Sequence, residues 1–413
     1  MNWRSNIIAV TFFLISNIIL SNLFNTLFGN FNIASSILIV IDSFFLIFLI
    51  SKLKLSGKIK IILIASFILR IILLYFDMYG KNVLVLPNSG FDTESFDNQA
   101  WTMNFTELTG YALFLKVIYT LFGHERLFAQ YLNIIFMMIS MLVVLKIMTK
   151  LSVSKKIQER TIAIFAFLPS NLIISAILLR ESFIVLFSTI SLYTLVSYSQ
   201  HKKTVNLLLT IFFVFLAAYL HSGMIGLLIP YAFYLVFYSK EYGFRFNLRS
   251  VIRFIMVAAT VYGIYLLIGT ESLTYFDNLN TIDATSIKMS GYIDGGSVYL
   301  PFTSNITSIW QIILYSPLKF IYFFGSPMPW DWRGFNDIFT FMLGSIVYLN
   351  ILIKMFMQKH KSDILKILLF CVVILGLIYG WGCFNAGTAM RHREVLLVFL
   401  LIGYSQCKKG ISK

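Results

Sequence analysis

Apolar residues run in long unbroken stretches along almost the whole chain, separated by short polar connections. Asn6–Phe24, Ile33–Ile50, Ile61–Phe76 and Phe128–Met148 are clear early examples, and eight more follow. Both faces of each stretch are apolar, so neither the helical nor the strand period stands out, and length has to decide. About 20 residues at a rise of about 1.5 Å cross a hydrocarbon layer. Within that layer backbone polar groups have to be satisfied inside the segment, which makes such stretches helices. The pattern predicts an all-α, polytopic transmembrane helical bundle of about twelve spans, forming a single domain over residues 1–413. Gly29 and Asn30 follow the first stretch where a small-residue cleavage site would stand, so it reads as a span and not as a cleaved leader.

Two stretches do not fit as crossings. Tyr111–Phe122 is too short, and Ile309–Phe324 would invert the charge pattern that follows it. Both are expected to lie on the outer interface, where Trp101, Trp310, Tyr315, Trp330 and Trp332 suit headgroup depth. The outer side is thus expected to carry an acidic loop plus interface helix over residues 77–127, and a second loop plus interface helix over residues 270–337. The turn after the fifth crossing falls at Pro169-Ser170-Asn171 or at Leu178–Ser182; both choices leave Arg180 in the outer half.

Charge sets the orientation. The chain is 58% hydrophobic and only 12% charged, with a formal net charge of +15. So strong a basic excess raises the question of nucleic acid, but the basic residues cluster in alternate connections, such as Lys146–Arg160, Lys240–Arg253 and Lys354–Lys366. One face then holds 23 basic residues against three acids, and the other holds 9 against 14. That asymmetry is the positive-inside rule, with both termini cytoplasmic and no nucleic-acid partner implied. Cys371, Cys383 and Cys407 fit no metal spacing and no disulfide framework, and no cofactor motif is present. No metal and no cofactor are expected.

Charged side chains inside a bilayer need a partner or a wet cavity. Asp42 and Arg70, of opposite sign in neighbouring spans, are expected to form a structural ion pair. The outer half is richer: Arg180-Glu181, His221, Trp330-Asp331-Trp332-Arg333 and Arg391-His392-Arg393-Glu394 come from four separate stretches. Arg180, Arg333, Arg391, Arg393 and His392 suit a phosphate or pyrophosphate, because guanidinium donates paired hydrogen bonds to it. Arg391 and Arg393 cannot face the same way on a helix, since two residues subtend about 200°; either could be the inward one, and Arg391 could pair with Glu394 one turn on. His221, in a tight turn, is a candidate base or phosphate ligand. The acidic run Gly90–Asp97 offers Asp92 and Asp97 as proton acceptors, with Glu94, Trp101, Trp330 and Trp332 as groups that would hold a sugar.

Taken together these positions resemble known families. Gly90-Phe91-Asp92, Gly110-Tyr111, Tyr119–Gly123 and Gln130–Asn133 are similar to the first outer loop and following helices of multispanning GT-C-type glycosyltransferases. Leu178–Ser182, Leu220–Gly223 and Asn385–Arg393 resemble EpsG-like and Wzy-like polysaccharide polymerases. The resemblance covers roughly Asn88–Tyr238 and Pro327–Tyr404. It implies a GT-C-like bundle in a bacterial cytoplasmic (inner) membrane, with its site on the outer side. The implied activity joins polyprenyl-pyrophosphate-linked oligosaccharide units into O-antigen or capsule. Its partners would be that lipid-linked glycan, membrane lipid and other polysaccharide-assembly membrane proteins. In this reading the arginines hold the pyrophosphate and Asp92, Asp97 or His221 activates the acceptor hydroxyl. Transfer of one sugar from a polyprenyl phosphate, and flipping of a lipid-linked oligosaccharide, are the alternatives.

Overall fold

A computed structural model describes residues 16–27, 29, 31–239, 243–245, 247–256, 259, 308–383 and 385–409. The amino-terminal half of the Asn6–Phe24 stretch and nearly all of the second outer loop, residues 270–307, lie outside the described residues. The apolar stretches are helices, as their length requires. They give α1 (Phe31–Lys52), α2 (Gly57–Tyr79), α5 (Arg126–Lys150), α8 (Glu181–His201) and α14 (Asp363–Gly382). These five, each of 20 to 25 residues, are long and apolar enough to cross a membrane. The protein is an all-α membrane protein; among the described residues the only strands are the two-residue pair β1 (Tyr238–Ser239) and β2 (Gly243–Phe244).

Shorter helices fill the connections. They are α3 (Phe91–Thr102), α4 (Gly110–Phe122), α6 (Lys155–Phe167), α7 (Pro169–Ala176), α9 (Thr204–Leu220) and α10 (Leu228–Phe237). Farther on come α11 (Ile309–Gly325), α12 (Phe335–Thr340), α13 (Ile346–Met357) and the long α15 (Ala386–Lys409). Side-chain caps set several starts: Ser56 Oγ accepts from the Ile59 amide, Ser362 Oγ from Leu365, and Asn385 Oδ1 from Thr388. The chain leaves helical geometry both at Leu168 and over residues 177–180, the two places the sequence offers for a turn.

The acidic run corrects one expectation: it is not loop but the first two turns of α3. Gly90 N–H donates to Thr93 Oγ1, and the Thr93 hydroxyl donates back to the Gly90 carbonyl. That reciprocal cap starts a helix whose first turn carries Asp92 and Glu94, where carboxylates favour the positive end of the helix dipole.

Two compact units make up the described chain. The first contains the residues up to Ile139 together with Leu172–Ser182; the second contains Ser140–Asn171 and everything from Phe183 on. In the first unit the expected Asp42–Arg70 pair does not form. Arg70 Nε donates 2.8 Å to Ser175 Oγ, its NH1 reaches the Ser66 hydroxyl and carbonyl, and Asp42 bonds to Asn17. Serines one turn away and across the unit take the guanidinium's hydrogen bonds in place of Asp42. Asn133 on α5 is the other polar brace. Its Nδ2 donates 2.9 Å to the Ile177 and Leu179 carbonyls, and it exchanges a hydrogen bond with Tyr111 OH. In this way the non-helical residues 177–179 acquire partners for backbone groups that water does not reach. Leu86, Ile177 and Leu179 form the apolar cluster beside it.

In the second unit α14 packs between α11 and α15. The approach to α11 is very close: a Cβ on Gly376 would lie 2.6 Å from the Phe320 ring, and one on Gly380 would lie 3.0 Å from the Lys319 carbonyl. Glycines one turn apart let two helix backbones touch.

Replacing Asn133 with alanine removes its hydrogen bonds to the Ile177 and Leu179 carbonyls and to Tyr111, and is expected to cost about 1–3 kcal/mol. The purified protein in detergent should melt earlier, while Asn98→Ala, on an exposed face of α3, should leave the transition where it is.

Candidate functional site

In the first unit the acids of α3 are each placed differently. Asp92 is exposed on the first turn. Glu94 Oε1 receives Lys81 Nζ and Arg126 NH1, each at 2.7 Å. Arg126 in turn lies 3.6 Å from Asp77, a carboxylate only 1% exposed that accepts 2.6 Å from Gln130 Nε2. Partial burial pushes the Glu94 carboxyl upward, but the hydrogen bonds from Lys81 and Arg126 outweigh it and hold the group below the ordinary range. Asp97 Oδ1 accepts 2.5 Å from Tyr119 OH and lies 3.3 Å from His124 Nε2. The His124 ring stacks on Trp101, centroids 4.1 Å apart and planes within 10°. Arg180 is half-buried with its guanidinium 5.7 Å from the Phe96 ring centroid, and Glu181 beside it is fully buried.

The second unit holds the candidate residues His221, His392, Arg333, Arg391 and Arg393. His221 ends α9, and its Nδ1 accepts from the Gly223 amide at 3.3 Å, capping the 3-10 turn Ser222–Leu227. A neutral imidazole with Nδ1 as acceptor carries its proton on Nε2. The Gly223 contact engages the Nδ1 lone pair of His221. His392, on the second turn of α15, packs against it edge to face at 4.6 Å. Tyr379 of α14 completes the group, 5.0 Å from His221 and 5.1 Å from His392.

Arg393 is fully buried. Its NH1 donates to the Phe324 carbonyl at 3.0 Å and to the Ser326 carbonyl and Ser345 Oγ at 2.9 Å, and its guanidinium sits 5.2 Å from the Tyr348 ring centroid. This is the arrangement of a brace that ties the end of α11 to residue 345. Arg391, on the other side of α15, is half-buried. Glu394 is fully buried and accepts from Asn171 Nδ2 at 3.3 Å, and no ion pair joins it to Arg391 among the described residues.

Lys319, which the sequence reading passed over, belongs to the same group. It is fully buried on α11, with Nζ 5.2 Å from the Trp381 ring centroid. Burial pushes its ammonium down to about 8, so it is still mostly charged at neutral pH. The fields of Arg391, Lys319 and Arg393 all act on the Cys383 thiol at the end of α14. A Gly at i and i+4 opposite an apolar helix, as Gly376 and Gly380 stand in the sequence, was the signal that could have drawn attention to it.

The remaining candidates lie at the surface of the second unit. Trp330 is 71% exposed and donates to Tyr322 OH. Trp332 Nε1 donates 3.1 Å to the Pro327 carbonyl, and Arg333 is exposed. Asp331, in the same turn, is raised by burial, with Tyr322 and Arg333 pulling the other way. Among the described residues no three His, Cys, Asp or Glu side chains converge on a point where a metal could bind.

No protein-family model, curated protein or solved structure matches this chain. The chemistry of the two clusters is therefore the basis for any reading of function.

Two outcomes test these geometries. Since the Glu94 pairing lowers that carboxyl, its stabilisation is fully present above the ordinary carboxylate range and fades as pH falls through the lowered value. Glu94→Gln should therefore melt below wild type at neutral pH, and the gap should close on acidification; a gap independent of pH would remove the ion-pair account. Arg393→Lys, whose single ammonium cannot reach all three acceptors, should cost about 2 kcal/mol or more. Arg391→Lys should leave the melting temperature nearly unchanged.

Proposed function

We propose that the protein is a membrane glycosyltransferase that joins polyprenyl-pyrophosphate-linked repeat units during bacterial surface-polysaccharide synthesis. One observation carries the reading: the second unit collects Lys319, Arg391 and Arg393 with a single carboxylate, Glu394, beside His221, His392 and Tyr379. Buried charge of one sign is costly unless matched. These groups have two positive charges in excess, which suits the two negative charges of a pyrophosphate diester. A phosphodiester-linked sugar carries only one, so the charge balance favours pyrophosphate over a polyprenyl-phosphate donor.

In this reading Arg391 and Lys319 hold the pyrophosphate, and the Nε2–H of His221 donates to one of its oxygens. His392 and Tyr379 fix the imidazole, and Arg393 braces the wall. An acceptor hydroxyl oxygen bonds to the anomeric carbon as the bond from that carbon to the pyrophosphate oxygen breaks. The electron pair leaves on the pyrophosphate, where the cations stabilise it; electrostatic stabilisation of this kind is commonly the largest catalytic contribution. The hydroxyl proton needs a carboxylate base. Glu394 is bonded to Asn171; the acids nominated from the sequence for that role, Asp97 and Asp92, belong to the first unit. The reading also holds the chain to about twelve crossings in the cytoplasmic membrane, with both termini inside and the chemistry on the outer face.

Glycan profiling of a deletion strain complemented with variants tests the proposal. Arg391→Ala, expressed at wild-type level, should leave glycan of a single repeat unit and lower the turnover of purified protein by about 10²–10³. A full-length glycan lacking one sugar would identify a single-sugar transferase instead. Reconstituted protein that moves lipid-linked glycan without forming a bond would replace both readings with a transporter.

A further inference from the structure

At the opposite end of α14 from the cationic cluster, the second unit has a cavity of about 490 Å³ lined by Phe233, Phe244, Lys366, Ile367 and Phe370. That volume lies in the range of small-ligand sites. Its walls come from α10, the β hairpin and the first turns of α14. Phe233 is the hinge of the aromatic wall, with ring centroids 5.1 Å from Phe370, 5.9 Å from Phe244 and 6.1 Å from Phe254. The one charged group in the lining is Lys366. Its Nζ is 5.5 Å from the Phe244 ring centroid and 2.9 Å from Asp363, and its side chain is 49% exposed.

The position along α14 gives the cavity a polarity. Asp363 begins the helix, Lys366 is in its first turn, and Phe370 lies one turn deeper. Because α14 is long and apolar enough to span a bilayer, its first turn falls at headgroup depth and its second at the start of the acyl region. The cavity therefore opens beside an ammonium and closes among phenyl rings. The segments flanking it, residues 238–256 and 357–366, carry seven basic residues against Glu241 and Asp363. A neutral lipid or a water-soluble anion would use only one half of this chemistry.

We propose that this cavity binds one anionic phospholipid, with an acyl chain among Phe233, Phe244 and Phe370 and the headgroup phosphate on Lys366. The site is separate from the cluster around His221 and does not depend on the activity assigned to it. Bound there, the lipid would tie the hairpin and α10 to the start of α14.

Native mass spectrometry of the full-length protein in detergent, titrated with dioleoyl phosphatidylglycerol and dioleoyl phosphatidylcholine, tests the assignment. One phosphatidylglycerol should be retained, with at least about fivefold preference over phosphatidylcholine. Lys366→Gln, an exposed change, should remove about that factor, whereas Lys359→Gln outside the cavity should not. Phe370→Trp, which fills the space, should release the retained lipid while the protein remains folded and monodisperse. Equal binding of the two lipids would overturn the proposal. So would equal effects of the two lysine variants, since they would indicate a diffuse attraction to basic surface and no built site.

Discussion

The guanidinium of Arg393 has to find acceptors where water does not reach, and the second unit is arranged around that requirement. A buried donor left unmet costs more than a met one contributes. The NH1 of Arg393 draws in the carbonyls of Phe324 and Ser326 and the hydroxyl of Ser345. The carbonyl of Phe324 belongs to the last turn of α11, where helices have no internal donor to offer. The side chain thus supplies a missing cap and fixes the end of one helix against another. Its helical position also decides the role of its neighbour. Two residues earlier on α15 points about 200° away, so Arg391 lies on the other side of the helix and remains half-buried.

The same rule governs the first unit with a different group. Asn133 supplies the donors for the carbonyls of Ile177 and Leu179, and Arg126 links Asp77 to Glu94. Acids that look interchangeable in the sequence are separated by this bookkeeping of donors. Asp77 is buried against Gln130, Glu94 is shared by two cations, Asp97 is held by Tyr119 and His124, and Asp92 faces outward.

Much of the secondary structure was legible in the hydropathy pattern, because segment length in an apolar chain leaves little choice. Ile33–Ile50, Ile61–Phe76, Tyr111–Phe122 and Ile309–Phe324 each became a helix that extends the expected stretch by at most four residues at either end. The acidic run failed as a loop because polarity hid a local cap: Thr93 closes back on Gly90, a signal read from spacing and not from hydropathy. The candidate site was legible by residue type and not by partner. His221, His392 and Arg391 were named from the sequence and share one cluster with Lys319, which was not. The partner of Glu394, Asn171, lies more than two hundred positions away, and no periodicity links them. A lone lysine in an apolar helix looks like one that reaches out to the headgroups; only the packing of α11 on α14 turns Lys319 inward.

That packing has an evolutionary side. Gly376 and Gly380 hold the two helices so near that a methyl group at Gly376 would meet the Phe320 ring at 2.6 Å, and one at Gly380 the Lys319 carbonyl at 3.0 Å. The inward lysine is thus secured by atoms that are missing, and drift to alanine at these two positions would prise the walls apart without altering any charged residue. Lineages carrying the polar groups intact could lose their electropositive centre through such a change.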